Sequence, residues 1–229
     1  MKKTSIILIH SLPDKKIKSL GNKALIQLNG CNLLDYQIGF IKKLFSNSEI
    51  IVVGGFDSKK LGKYIHKKYT NIKYVSHEIT DNTNIGFSVQ KAIMQITGDN
   101  ILIINGNLFI DKISINDIKK HKKYNFILSS KQSKSNIGLI VNTKLVEHCF
   151  FDLPKPFYDF VYIHNSYMDT FCDIIKNNDF EKYYLFEIIN ECINKDIYFY
   201  AADIDSRNIN IIDNNETINK IIRKQKKYA

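Results

Sequence analysis

With 229 residues, 44% of them hydrophobic, the chain has enough apolar material for a sizeable core, which excludes global disorder. No apolar run reaches the ~18 residues of a membrane-spanning helix, so a bilayer partner is not expected. The net charge of +10 favours anionic ligands, yet it comes from 31 Lys and only two Arg, Arg207 and Arg223. Arginine is the residue suited to bidentate readout of bases and phosphates, so the lysine excess is not taken as a sign of nucleic acid. The basic clusters at 119–123 and 223–227 read as solvated faces. Cys31, Cys149, Cys172 and Cys192 show no C-x-x-C spacing, which argues against zinc and against a disulfide framework. They read as reduced, mostly buried thiols in a cytoplasmic protein.

In chain order, the first apolar run, Ser5 to Ile9, reads as a buried strand; it is too short for a leader peptide. A polar, lysine-rich loop from His10 onward leads to a second run, Lys23 to Leu28. Asn32 is placed to cap a helix with Leu34, Ile38, Ile41 and Phe45 at helical spacing. Glu49 to Val53 is a strand ending at Gly54-Gly55, and Asp57 is expected to cap the next helix, with Leu61 and Ile65 on one face. Ile72 to Val75 is a third strand, Ser88 to Ile96 a helix stopped by Gly98, and Asn100 to Ile104 a fourth strand. This βαβαβαβ rhythm implies a Rossmann-like, mostly parallel, doubly wound α/β sheet.

The second half is less regular. A short helix begins at Ser114, and strands are expected at 125–130 and 138–141. Cys149 to Asp159, with Pro154 and Pro156, reads as a loop. Phe160 to His164 is a strand and Tyr167 to Ile175 a helix. Glu181 to Ile193 is a helix, Ile197 to Ala202 a strand and Asn214 to Lys224 a closing helix. With no linker and no repeat, the chain reads as one domain spanning residues 1–229.

Ligands of such sheets sit at the strands' carboxyl ends. Two segments lie there: the loop from His10 to Gly30, with Lys15, Lys16, Lys18 and Lys23 available to phosphates, and IINGNLFID, residues 103–111, where Asn105 and Asn107 flank Gly106. NKALIQLNGCNLLDYQI (22–38) resembles the P-K-x-L…G-x-P-L-L-x-x-x-I segment of the nucleotidyltransferases that make nucleoside-diphosphate sugars and CDP-choline-type products. NTNIGFSVQKAI (82–93) is similar to their T-N-x-x-S helix start, with Thr83, Asn84 and Ser88 in place. IINGNLFID falls on their I-x-x-G-D-x-x-F-D, and INIIDNNETINKI (209–221) on their closing D-I-D-T-P-E-D-L segment. The four segments occur in the family's order along nearly the whole chain.

The resemblance implies a GT-A-like nucleotidyltransferase fold and a reaction in which an acceptor phosphate attacks the α-phosphorus of a nucleoside triphosphate. It makes Lys23 the catalytic lysine, Asp213 a Mg²⁺ ligand, and Thr83, Asn84, Ser88, Asn105 and Asn107 candidates for nucleotide or substrate binding, beside the loop lysines Lys15, Lys16 and Lys18, which are candidates by their place at a strand's carboxyl end. The departures are specific. Nothing between His10 and Lys18 matches the family's G-x-G-T-R-M loop, Asn107 stands where the family has a metal-binding aspartate, and Asn22 stands where it has proline. These departures leave two readings open: a weakened or altered transferase acting on a small phosphorylated acceptor such as a sugar phosphate or phosphocholine, or an inactive relative that binds nucleotide or a protein partner. Other roles stay open for single residues. Asn105 and Asn107 fit a tight turn, Asp213 and Thr83 fit helix caps, and Asp203-Ile204-Asp205 forms a D-x-D.

Overall fold

A computed structural model describes residues 2–12, 18–78, 83–131, 136–177 and 179–226. The candidates Lys15 and Lys16 lie outside these residues, as does the side chain of Lys18. The first half alternates strand and helix. Strand β1 (Thr4–His10) is followed by two 3-10 turns, Lys18–Leu20 and Lys23–Leu25, and by a small ribbon of β2 (Gln27–Leu28) and β3 (Cys31–Asn32). Then come α1 (Leu33–Leu44), β4 (Ser48–Gly54), α2 (Ser58–Lys68), β5 (Ile72–Ser76), α3 (Ile85–Ile93) and β6 (Asn100–Asn105). Strands β5, β4, β1 and β6 lie side by side and all run parallel. The near-continuous Ile, Leu and Val runs of β1, β4 and β6 are buried on both faces, as expected of a parallel sheet covered by helices, while the edge strand β5 buries only Ile72 fully.

The second half extends this sheet with mixed polarity. Its elements are β7 (Leu108–Ile110), α4 (Ile115–Lys119), β8 (Phe126–Ser130), β9 (Ile137–Asn142), β10 (Leu145–Phe151), β11 (Phe160–Ile163), α5 (Met168–Asn177), α6 (Leu185–Ile193), β12 (Tyr200–Ile204), β13 (Ile209–Ile211) and α7 (Asn215–Lys226). Nine strands form one sheet in the order β5-β4-β1-β6-β11-β8-β12-β10-β9, and β13 pairs with β7 in a separate ribbon. Two apolar layers cover the two faces, one built on Val89, Phe171, Ile188 and Phe199, the other on Leu34, Phe40, Ile41 and Phe126. Among the described residues no helix is long and apolar enough to cross a membrane.

Several sequence expectations need correction. The segment from Cys149 was expected to be a loop, but Leu145–Phe151 is a strand paired with β9. It buries Val146 and Cys149 and exposes Glu147, His148 and Phe150, so only one face is apolar. Helix α3 starts at Ile85 and ends at Ile93 rather than spanning 88–96. Helix α6 starts at Leu185 rather than Glu181, because the carbonyls of Glu181 and Tyr183 accept from the backbone N–H of Asn84 and Gly86 at 2.8 and 2.9 Å. Those residues cap α3 instead of beginning a helix of their own. Strand β12 begins at Tyr200, where pairing with Phe126 starts, not at Ile197. Lys122 does not lie on a solvated face: its ammonium sits 3.8 Å from the centroid of the Phe45 ring, and burial pushes it down to about 8. All four cysteines are free, Cys149 and Cys192 buried and the other two half-buried.

Candidate functional site

The carboxyl ends of β1 and β6 meet at the Asn105-Gly106-Asn107 loop. Gly106 N donates to the Ile9 carbonyl at 2.7 Å, and a Cβ on Gly106 would come within 2.3 Å of His10 Nδ1. Only glycine allows that approach, so its place between the two asparagines is set by packing against β1. Neither asparagine has a positive φ, so neither is there to supply a left-handed turn.

Below the loop lies a buried polar clamp. Gln37, on the buried face of α1, donates from Nε2 to the carbonyls of Gly106 and Leu108 at 3.1 and 2.8 Å. Its Oε1 must therefore accept, and His10 Nε2 donates to it at 2.9 Å. This fixes the tautomer and leaves His10 Nδ1 a buried acceptor without a partner. Burial, only partly opposed by the Gln37 hydrogen bond and reinforced by the charge of Lys23, holds the imidazole down at about 3. His10 is thus a neutral strut at neutral pH.

Lys23 begins its 3-10 turn directly after Asn22, which is buried. Asn22 Oδ1 accepts from Ala24 N at 2.9 Å, while its Nδ2 donates to the carbonyls of His10 and Phe56 at 3.0 and 2.7 Å. The asparagine thus fixes the turn that carries Lys23 and ties it to the ends of β1 and β4. The positive charge of Lys23 acts on both His10, which it disfavours as a cation, and Asp159, which it favours as an anion.

Two strand pairings bring carboxylates to this loop. Strand β11 runs antiparallel to β6 with Phe160 opposite Ile104, so Asp159 falls opposite Asn105. Asn105 N donates to the Asp159 carbonyl and Asn105 Nδ2 to Asp159 Oδ2, each at 2.8 Å. Burial raises the Asp159 carboxyl above its ordinary value, with Asn105 and Lys23 opposing the rise. In the β7–β13 ribbon Leu108 is opposite Ile211, and Ile212 N donates to the Asn107 carbonyl at 2.8 Å. The next residue is Asp213. Asn107, Asp159 and Asp213 line one cleft of about 440 Å³, together with Asn210, Ser206 and Thr217. The Asn107 Oδ1 is buried and has no hydrogen-bond partner among the described residues.

The cap of α7 is Asn214, whose Oδ1 accepts from Thr217 N at 2.8 Å; Asp213 only receives a hydrogen bond from Asn214 Nδ2 at 2.7 Å. At α3 the capping residue is Asn84, with Thr83 just before it. The Ser88 hydroxyl is fully buried and bonded to Ser11 Oγ at 2.6 Å and His77 Nε2 at 2.9 Å. The D-x-D does not reach the cleft as a pair: Asp203 is ion-paired with Lys155, and Asp205 with Arg207. Among the described residues no group of three or more His, Cys, Asp or Glu could hold a metal. The structure therefore gathers Lys23, Asn105, Asn107 and Asp213 at one end of the sheet and adds Asp159, which the sequence did not single out. A lone aspartate between aromatic residues has no spacing signal; only the β11–β6 register reveals it.

This architecture is the nucleotidyltransferase fold. Neither a family model nor a curated protein sequence matches the chain. Solved structures do. The CTP:phosphocholine cytidylyltransferase of Streptococcus pneumoniae superposes with a TM-score of 0.77 at 16% identity, covering 98% of this chain and 100% of its own. The inositol-1-phosphate CTP transferase of T. maritima gives 0.73 at 14% identity, covering 95% of each chain. A UDP-glucose pyrophosphorylase complexed with UDP-glucose gives 0.75 at 8% identity, covering 100% of each. The chain is similar to nucleotidyltransferases from end to end in fold while sharing little sequence with them.

Proposed function

We propose that the chain binds a nucleoside triphosphate at this cleft and transfers its nucleotidyl group to a small phosphorylated acceptor, as a weakened member of the nucleotidyltransferases. The observation that carries this reading is the meeting of Asn107 and Asp213 in one cleft, with the turn of Lys23 tied by Asn22 to the end of the neighbouring strand β1, in a chain that matches transferase folds over its whole length. In such a reaction an acceptor phosphate oxygen forms a bond to the α-phosphorus, the bond from that phosphorus to the bridging oxygen breaks, and pyrophosphate leaves. Catalysis of this kind is positioning plus electrostatics. Lys23 neutralises negative charge at the reacting phosphate, the Gln37–His10 clamp holds the Asn105–Asn107 loop in place, and Asn22 fixes the lysine's turn.

Mg²⁺, when bound, supplies further neutralisation of phosphate charge. The residues present fit a hard cation: the Asp213 and Asp159 carboxylates and the Asn107 carbonyl oxygen are all oxygen donors, and that Asn107 oxygen has no hydrogen-bond partner among the described residues. The amide at position 107 specifically favours a second reading, an inactive relative that retains nucleotide binding for a regulatory or assembly role, because an amide gives less charge to a cation than a carboxylate. Pyrophosphate release, measured with each of the four ribonucleoside triphosphates against sugar-phosphate and phosphocholine acceptors, separates the two. Turnover that Lys23→Met lowers by about 10²-fold or more supports transfer. Nucleotide binding with no pyrophosphate release favours the inactive relative.

A further inference from the structure

We infer that Asp159 supplies the cation-binding carboxylate that position 107 lacks, so that the metal site has moved across the loop rather than vanished. The inference rests on the reading above that the cleft belongs to nucleotide chemistry. Three observations lead to it. First, the β11–β6 register places Asp159 opposite Asn105, one strand away from the loop, and two hydrogen bonds from Asn105 hold its main chain and its carboxylate there. Second, the cleft that Asp159 lines is the one lined by Asp213 and Asn107, which arrive from separate elements. Third, the Asn107 Oδ1 is buried without a hydrogen-bond partner among the described residues, whereas Asn105 spends its own amide on Asp159. A buried amide oxygen without a donor is costly unless a ligand satisfies it.

Each residue thus has a distinct part. Asp159 and Asp213 supply negative charge, Asn107 supplies a neutral oxygen, and Asn105 is a positioning residue that orients Asp159. Two carboxylates with a carbonyl oxygen form a donor set suited to a hard divalent cation that keeps several of its waters. Asp159 is half-buried in the free protein, where burial opposes its charge and the Asn105 hydrogen bond and the Lys23 charge only partly offset that cost. A bound cation relieves that cost.

The test is Mn²⁺ binding by the full chain, followed by electron paramagnetic resonance without nucleotide, so that no turnover is needed. The wild type is expected to show one saturable millimolar-or-tighter site. Asp159→Asn and Asp213→Asn should each weaken it at least about tenfold. The exposed Asp117→Asn should not change it, and Asn107→Asp introduced into Asp159→Asn should restore it. Should Asp159→Asn fail to fold, the wild type still decides: Mn²⁺ must broaden the amide resonances around Asn107, Asp159 and Asp213 before any others. Unchanged Mn²⁺ affinity in folded Asp159→Asn, no Mn²⁺ site in the wild type, or broadening centred elsewhere overturns the inference. If triphosphates still bind in that event, the assignment of Asp159 falls alone; if they do not, the proposed function falls with it.

Discussion

Replacing Gln37 by methionine keeps the side chain's volume and removes all three of its hydrogen bonds, to His10 Nε2, Gly106 O and Leu108 O. Gln37 is 4% exposed, so water cannot take its place without opening α1 from the sheet. The variant leaves an imidazole N–H and two carbonyl oxygens short of a partner, at about 1–3 kcal/mol for each group left unsatisfied. Partial relaxation brings the total to roughly 3–5 kcal/mol. For a chain of this length 1 kcal/mol moves the midpoint by roughly 2–4 °C, so Gln37→Met should melt about 10 °C below the wild type. Differential scanning calorimetry measures the midpoint, and hydrogen exchange should show faster exchange at 105–108, the loop the clamp holds. A melting point within about 2 °C of the wild type, with unchanged exchange at the loop, would refute the claim that the clamp holds the site.

Further predictions follow from the charged groups. Burial, opposed by the Gln37 bond and reinforced by Lys23, keeps His10 at about 3 against an ordinary 6.5, so the unfolded chain binds a proton that the folded chain refuses. Stability should therefore fall as pH drops from 6.5 toward 3, by about 2 kcal/mol at pH 5, and urea midpoints followed between pH 7 and 5 should fall more steeply in the wild type than in His10→Gln. Burial would raise Glu49, but hydrogen bonds from Ser5, Thr97 and Lys3 outweigh it and bring the carboxyl to about 2. That stabilisation is full above 4.5 and lost as pH falls through about 2, so Glu49→Gln should cost about 1–2 kcal/mol at neutral pH, after solvent screening of this partly exposed group, and almost nothing at the acid limit. Asn107→Asp should raise Mg²⁺-dependent turnover by about tenfold or more, as followed by pyrophosphate release.

The inner strands of the parallel half were legible because they are buried on both faces and so read as unbroken apolar runs, such as Ile6 to Ile9 and Ile101 to Ile104. Strand β10 was hidden because only Val146 and Cys149 face the core, while the nearby prolines suggested a loop. The three-residue strands β7 and β13 are too short to show a period, yet they position Asp213. The start of α6 depends on carbonyls that bond to α3, a tertiary fact with no local signal. Of the candidate site, Lys23, Asn107 and Asp213 were singled out by motif order, and two of them, Asn107 and Asp213, line one cleft. Their supports were not: Gln37 looks like one polar residue on an amphipathic helix, and His10 like the first residue of a polar loop, until the α1–β1–β6 packing brings them together.

The measurement that bears most directly on the account is isothermal titration calorimetry of the full chain with each of the four ribonucleoside triphosphates, with and without Mg²⁺, alongside Lys23→Met. The account predicts saturable binding of at least one triphosphate, tighter with Mg²⁺ and weakened in the lysine variant. No binding of any of the four, in either condition, would contradict it and leave the fold without its nucleotide.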